Sequence, residues 1–299
     1  SVPQLAIWDD HDYGLGDGDR TFPGKEASTA VFREYWANPR YGLAGGTGMS
    51  QTPRASQTPR VSQTPRLSQT PGASQTPGVP QKPGVPQTPG VFFRWSIGDV
   101  DFFLLDGRTF RDPNALPDGP GKTQLGVRQK RWLKSGLKKS RAVFKVLVSP
   151  GAWTEGKGPG GDSWASFLHE RDELFDFIRD EGVTGVFLLA GDAHRPQMNV
   201  IPRSARGGYD LYEVISSPLA QTVERGKLGR GEKGGFRRVR PPNAYVFNFG
   251  LLEFDTAAAP PRVTIRLIDA EGKSLWRPLV LTAEDLKPGA RSRDRTVRD

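Results

Sequence analysis

Val183-Thr184-Gly185-Val186-Phe187-Leu188-Leu189-Ala190-Gly191-Asp192-Ala193-His194 is a short apolar run that ends abruptly in glycine, a carboxylate and an imidazole. Eight residues of this kind are too few for a helix and suit a strand buried on both faces. Before it, residues 163–181 place Phe167, Leu168, Leu174, Phe175 and Ile178 on one helical stripe. Ala142–Val148 is a second apolar strand. Residues 123–140 form another amphipathic pattern, with Leu125, Trp132, Leu133 and Leu137 on one face and Arg and Lys on the other. Val100–Leu105 is a strand that ends in Asp106, and Asp210–Ile215 is a further one downstream. Strand, helix, strand, helix, strand predicts an α/β layer.

The C-terminal part changes period. Asn243–Phe254 and Val263–Leu267 alternate like hairpin strands, Asp269-Ala270-Glu271-Gly272 reads as a turn, and Ser274–Leu281 returns. This predicts an antiparallel sheet on the same core. Residues 287–299 read as a disordered basic tail.

Between the N-terminal run and the first strand lies a hexapeptide repeat. Gln recurs at positions 51, 57, 63, 69, 75, 81 and 87, and the units drift from QTPRAS to QTPGVP. This segment accounts for much of the unusual composition, Gly 36 and Pro 26 with 35% hydrophobic residues. Frequent proline removes backbone donors and forbids a helix or a central strand. One small apolar residue per unit cannot offset the ordering entropy. A repeat-built β-helix needs a fixed inward aliphatic and few prolines, which these units lack. The expectation is one domain over 1–286, interrupted by a disordered insert over 51–90.

The formal charge is +9, but it lies in the insert, in residues 225–240 and in the tail, and the rest of the chain is mildly acidic. That distribution argues against nucleic acid, which needs a basic face on folded elements. Residues 225–240 read as a solvated loop, or as an electrostatic lure for anions. No apolar run reaches the ~20 residues that span a bilayer. With no cysteine, disulfides and thiolate metal sites are excluded.

Two clusters carry chemistry. Asp9-Asp10-His11-Asp12 follows Leu5-Ala6-Ile7-Trp8, read as a strand, and Asp192 and His194 follow the strand quoted above. Two of the three histidines stand in these clusters. Hard cations prefer carboxylate oxygen, and imidazole suits Zn, Fe or Mn. Side chains at strand C-termini point into the crevice where α/β proteins bind ligands. The other reading of Asp9–Asp12 is an acidic surface loop or helix N-cap. Arg108 and Arg111 suit phosphate oxygens, or equally an ion pair that ties their strand end to the acidic cluster. Arg195 has the same two readings. Tyr13 suits either substrate contact or packing.

WDDHDYG, FREYWANPRYG, FFRWSIGDVDFFLLDGRTFR, GVFLLAGDAH and ISSPL occur here in this order. In that order they resemble the PhoD-like alkaline phosphatases, of the calcineurin-like metallophosphoesterases. The resemblance covers nearly the whole chain except the insert and the tail. It implies a four-layer αββα sandwich, a metal centre between two sheets, and hydrolysis of phosphate mono- or diesters. It implies two or more metal ions, of Ca, Mn, Fe or Zn, with Asp10, Asp192 and His194 as ligands and His11 as the residue that protonates the leaving group. Arg108, Arg111, Arg195 and Tyr13 would then face the phosphate ester substrate. The family is often exported.

The resemblance also implies earlier strands with the first metal ligands, whereas seven residues precede Trp8 here, and no middle metal histidine is found near Val148–Gly151. The expectation is therefore the C-terminal part of a longer enzyme, its first strands missing. The alternative is an inactive fragment or degenerate homologue with a binding or structural role. If the insert is a solvated loop, deleting residues 51–86 leaves the melting temperature nearly unchanged; calorimetry of the deletion variant checks this.

Overall fold

Short parallel strands rich in Phe, Val and Leu build the centre of the molecule. The computed structural model describes residues 2–39, 41, 89–154, 158, 160–223, 235–240 and 245–293. The insert therefore falls outside the described residues, apart from its last two positions, as do residues 225–234 of the basic loop. Two short helices come first, α1 (Asp10–Tyr13) and α2 (Lys25–Tyr35). Then follow β1 (Phe93–Ile97), β2 (Val100–Leu104), α3 (Gly126–Lys139), β3 (Phe144–Ser149), α4 (Leu168–Asp180), β4 (Val186–Ala190), β5 (Gln197–Ile201) and β6 (Leu211–Ile215). A two-residue strand, β7 (Arg237–Arg238), precedes β8 (Asn248–Asp255), β9 (Arg262–Asp269) and β10 (Leu279–Thr282).

This is a mixed α/β fold. Seven strands form one sheet in the order β1-β2-β3-β4-β6-β5-β7, and three form another in the order β10-β9-β8. Strands β2, β3, β4 and β6 are parallel, with Phe102 opposite Val146 and Val146 opposite Phe187. Their C-terminal ends therefore share one rim. The period-2 rule puts Phe102 and Phe103 on opposite faces. Phe103 meets Trp132 of α3, with ring centroids 5.8 Å apart. On the other face Phe254 of β8 packs against Phe102, Phe144 and Phe187 at 6.0, 5.6 and 6.4 Å. The antiparallel sheet thus covers one face and the helices the other, around a common core. Gly136 lets α3 approach, since a Cβ there would meet the Phe103 ring at 2.6 Å.

Helix α3 starts at Leu125, which has no capping side chain. Its first amide is met locally, Gly126 N donating to Thr123 Oγ1 at 2.7 Å, and the buried Glu170 carboxylate of α4 accepts from the preceding Gln124 N at 2.5 Å and Leu125 N at 3.1 Å. Local and tertiary acceptors together fix the helix start.

Four expectations are corrected. Residues 5–8 form no strand but an extended run, held by Asn38, whose Oδ1 accepts from Ala6 N at 3.0 Å and whose Nδ2 donates to Ala6 O at 2.7 Å. The tail is tied down as far as Ser292, because Asp210 N donates to Ala290 O and Ser292 N donates to Asp210 Oδ2. The described end of the basic loop is not solvated, since Arg238 and Arg240 are buried and β7 pairs with β5. Finally, α2, β5 and β7 join the predicted elements.

One buried acid fixes the loop after β3. Glu213 of β6 is fully enclosed. It accepts from Trp153 N at 2.6 Å, Thr154 N at 3.3 Å and Asn199 Nδ2 at 2.9 Å. Burial pushes its carboxyl above the usual range, against these hydrogen bonds. A raised carboxyl contributes stability that is complete below its unfolded value and lost as pH rises through the folded one. Glu213→Gln should therefore flatten the decline of melting temperature as pH rises above the ordinary carboxylate range. Glu213→Ala, which orphans two backbone amides and opens a cavity, should cost about 2–4 kcal/mol at acidic pH, where the contribution of the carboxyl is complete. Denaturation curves across pH check both.

Candidate metal and phosphate site

The rim made by the parallel strand ends collects the site. Strand β2 delivers Asp106 and Arg108, β3 delivers Pro150, β4 delivers Gly191–His194, and β6 delivers Ser216 and Ser217. Pro150 O accepts from Gly191 N at 3.0 Å, and Ser217 Oγ accepts from His194 N at 3.1 Å. Neighbouring strand ends are thus stitched across the rim.

The N-terminal segment reaches this rim through Trp8. Its Nε1 donates to Asp106 Oδ1 at 2.9 Å, and its ring packs on Tyr13 and Phe32 at 5.2 Å each. Asp9 then caps α1, with Asp12 Oδ2 accepting from Asp9 N at 3.2 Å. The Asp9–Asp12 run therefore opens a helix rather than closing a strand. Its side chains still reach the rim. Arg108 Nε donates to Asp9 Oδ1 at 2.7 Å, and its other nitrogens bond Asp9 and Asp162, with Nη1–Asp162 Oδ1 at 3.0 Å. Arg111 pairs with Asp162 Oδ1 at 2.8 Å and with Asn114 Oδ1 at 2.9 Å.

This arrangement sorts the expected residues. Arg108 and Arg111 are buried in ion pairs with the acidic loops, which is the second of the two arrangements their sequence allowed. Burial lowers the Arg111 guanidinium to about 10, with Asp162 opposing. Tyr13 takes the packing arrangement: its ring is fully buried, and its hydroxyl donates to Asp19 O at 3.1 Å. His11 sits on the open side of α1 with 83% of its side chain exposed, its Nε2 3.9 Å from Asp10 Oδ2. Arg195 is buried, and its guanidinium lies 5.3 Å from the centroid of the Tyr245 ring.

Among the described residues, the ligand atoms of Asp10, Asp17 and Asp162 lie within 4.8 Å of one another. Asp10 was expected there. Asp17 and Asp162 were not, and Asp192 and His194 stand outside this group. Asp192 nevertheless lies close enough to Asp9 to raise its carboxyl, which burial first pushes to about 7 while Arg108 opposes. Three carboxylates suit a hard cation. Asp162 would share it with two arginines, which weakens its donation.

Backbone strain marks the same place. The non-glycine residues with positive φ among those described are Asp17 (58°), Asp192 (59°) and His194 (51°). Such conformations cost of order 1–3 kcal/mol each and concentrate at functional sites. Asp17 is held partly by its amide, which donates to Asp10 Oδ2 at 2.9 Å. Both missed acids follow glycine, in GLGDG and GPGGDS, a cue for a tight turn but not for a ligand.

The PhoD-like phosphatase family model matches residues 77–258. Alkaline phosphatase D of Bacillus subtilis is 31% identical over 112 residues, covering 32% of this chain and 19% of that protein. A solved structure of PhoD aligns at 16% identity with a TM-score of 0.49, over 91% of this chain and 54% of that one. A dimetal phosphatase from Danio rerio aligns at 14% identity with a TM-score of 0.36, over 64% of this chain and 60% of that one.

Removing the guanidinium that joins the two loops takes from Asp9 its arginine partner and leaves Asp162 with Arg111 alone. Arg108→Met should cost about 3–5 kcal/mol, and Asp162→Asn less, since Arg108 keeps Asp9; urea denaturation measures both.

Proposed function

The chain belongs to the PhoD-like phosphatase family, and on that premise we propose that it is a metal-dependent phosphohydrolase acting on phosphate mono- or diesters. The observation that carries the reading is the approach of Asp10, Asp17 and Asp162 to within 4.8 Å, on the rim that also bears Asp192 and His194. The donor chemistry fits divalent or trivalent ions such as Ca, Mn, Fe or Zn. Asp10, Asp17 and Asp162 would hold one, with Asp192 and His194 as further ligands from the β4 end. When bound, such ions supply an activated water and a positive charge for phosphate oxygens.

The chain's own residues do the rest. Arg108 and Arg111 fix the acidic loops on both sides of the rim and partly neutralise them, so that like charges stay together. His11 is exposed and tethered by a short helix, which suits a group that gives its proton to a departing alkoxide. Its amide donates to Asp10 Oδ1 at 2.9 Å, so ligand and acid are positioned by one turn of backbone. Arg195 offers donors for a phosphoryl oxygen beside His194.

Chelator-treated chain, reloaded with each ion in turn, should release phosphate or alcohol from an ester substrate in an ion-dependent manner. His11→Ala should lower turnover by ~10²-fold with metal content unchanged, whereas Asp10→Ala should lower metal content by elemental analysis. Metal binding without turnover under every loading would sink the hydrolase reading in favour of a binding role.

A further inference from the structure

Four buried arginines have carboxylate or carbonyl partners, whereas Arg195 and Arg238 each leave Nε without one. Arg108 and Arg111 bond carboxylates, Arg171 donates to Trp153 O, and Arg203 pairs with Asp172 and Asp176. Arg195 differs. It is 3% exposed, its Nε is buried without a hydrogen-bond partner, and among the described residues no carboxylate pairs with it. Its guanidinium carbon lies over the face of Tyr245, 5.3 Å from the ring centroid. A cation–π contact orients a guanidinium but does not replace the acceptors it lost on burial. An oriented guanidinium whose Nε lacks an acceptor is suited to an anion with paired oxygens.

Exposed apolar side chains stand on the segments next to that cation. Tyr245 is 37% exposed, Phe247 46% and Leu219 74%. They belong to one place. Asn248 N donates to Pro218 O at 2.9 Å and Asn248 Nδ2 to Ser217 O at 2.8 Å, so Phe247 and Leu219 flank the same pair of bonds. Ser217 Oγ in turn accepts from His194 N. The shelf is therefore tied to the turn that carries Asp192, His194 and Arg195. Two aromatic rings and an aliphatic side chain beside a single cation have little to offer a hydrated sugar or glycerol. They gain by covering a flat apolar group.

We propose that Arg195 binds a phosphoryl oxygen and that Tyr245, Phe247 and Leu219 form a shelf for the alcohol portion of the substrate, which is thus a flat, apolar or aryl group. The inference names the substrate class of the site proposed above and rests on that reading for its catalytic meaning, though not for the binding it describes.

Phosphonates separate the two, because their carbon–phosphorus bond is not an ester and binding is read without turnover. Calorimetry of the full chain, loaded with the ion that supports turnover or with manganese where none does, should show phenylphosphonate binding ~10-fold tighter than methylphosphonate or inorganic phosphate. Tyr245→Ala, at a half-open position that threatens no core, should erase most of that preference. Arg195→Lys keeps the charge but not the fork, and should weaken all three ligands by ~10-fold or more. Equal affinities, a preference that survives Tyr245→Ala, undiminished binding by Arg195→Lys, or no binding at all would each overturn the proposal. Phenylphosphonate bound in this way by a chain that hydrolyses no ester would leave the inference standing and overturn the phosphohydrolase reading. Turnover with no preference for aryl groups would do the reverse.

Discussion

The carboxylate of Asp106 is the knot on which the rest of the rim depends. It is fully buried at the end of β2, and it accepts from three separate segments. Oδ1 takes Trp8 Nε1 at 2.9 Å and the amides of Arg108 and Thr109 at 3.0 Å each, while Oδ2 takes Val91 N at 2.9 Å and Thr109 Oγ1 at 2.6 Å. Five donors to one carboxylate offset the cost of taking the charge from water. The backbone of the same residue is clamped by Gln129 of α3, whose Oε1 accepts from Asp106 N and whose Nε2 donates to Asp106 O, both at 2.8 Å. Helix, strand, N-terminal run and the chain returning from the insert therefore meet at one residue. Gly90, at φ 70°, permits that meeting, since a Cβ there would come within 3.0 Å of Asp106 Oδ2.

That knot explains why a segment with little secondary structure can carry chemistry. Residues 2–9 form no strand or helix, yet Trp8 is fully buried in an aromatic cluster with Tyr13, Phe32 and Val91. The indole is anchored at its ring by packing and at its nitrogen by Asp106. Asp9 and Asp10 follow immediately, so their carboxylates inherit a defined position from the tryptophan. The cluster is a small second core, and the ion pairs of Arg108 join it to Asp162 of the loop after β3.

How much of this was legible in the sequence depended on the kind of signal. The parallel strands were plain, because β2, β3, β4 and β6 are buried on both faces and read as apolar runs broken at most by one charged residue, Asp101, Lys145 or Glu213. Strand β5 was not, since Gln197-Met198-Asn199-Val200-Ile201 hides two amides in a buried strand, one of them bonded to Glu213. Arg237 and Arg238 looked like part of a charged loop, and only the neighbouring strand makes them β7. The acidic run at Asp9–Asp12 was read from residue type with the wrong local structure: a carboxylate after apolar residues suits a strand end and a helix cap alike. Arg108 and Arg111 had two readings that no spacing could separate, because the choice turns on Asp162, 54 and 51 positions away. The resemblance of the ordered motifs located the rim, but only folded proximity could put Asp17 and Asp162 beside Asp10.

The charge arrangement on that rim has a direction. Asp9, Asp10, Asp17, Asp162 and Asp192 converge, while the arginines fixed among them are Arg108 and Arg111. Ion pairs of this kind stabilise little after desolvation, and the backbone accepts strain at Asp17, Asp192 and His194 to keep the acids where they are. Folding alone would be served better by apolar residues in ordinary conformations, so the excess of carboxylate and the strain call for a cationic ligand. Arg195 lies outside this acidic group, over the ring of Tyr245, with no carboxylate partner among the described residues. An acidic half and a lone cation, separated by the single turn Asp192–Arg195, are complementary to a bound metal and to the anion it would polarise.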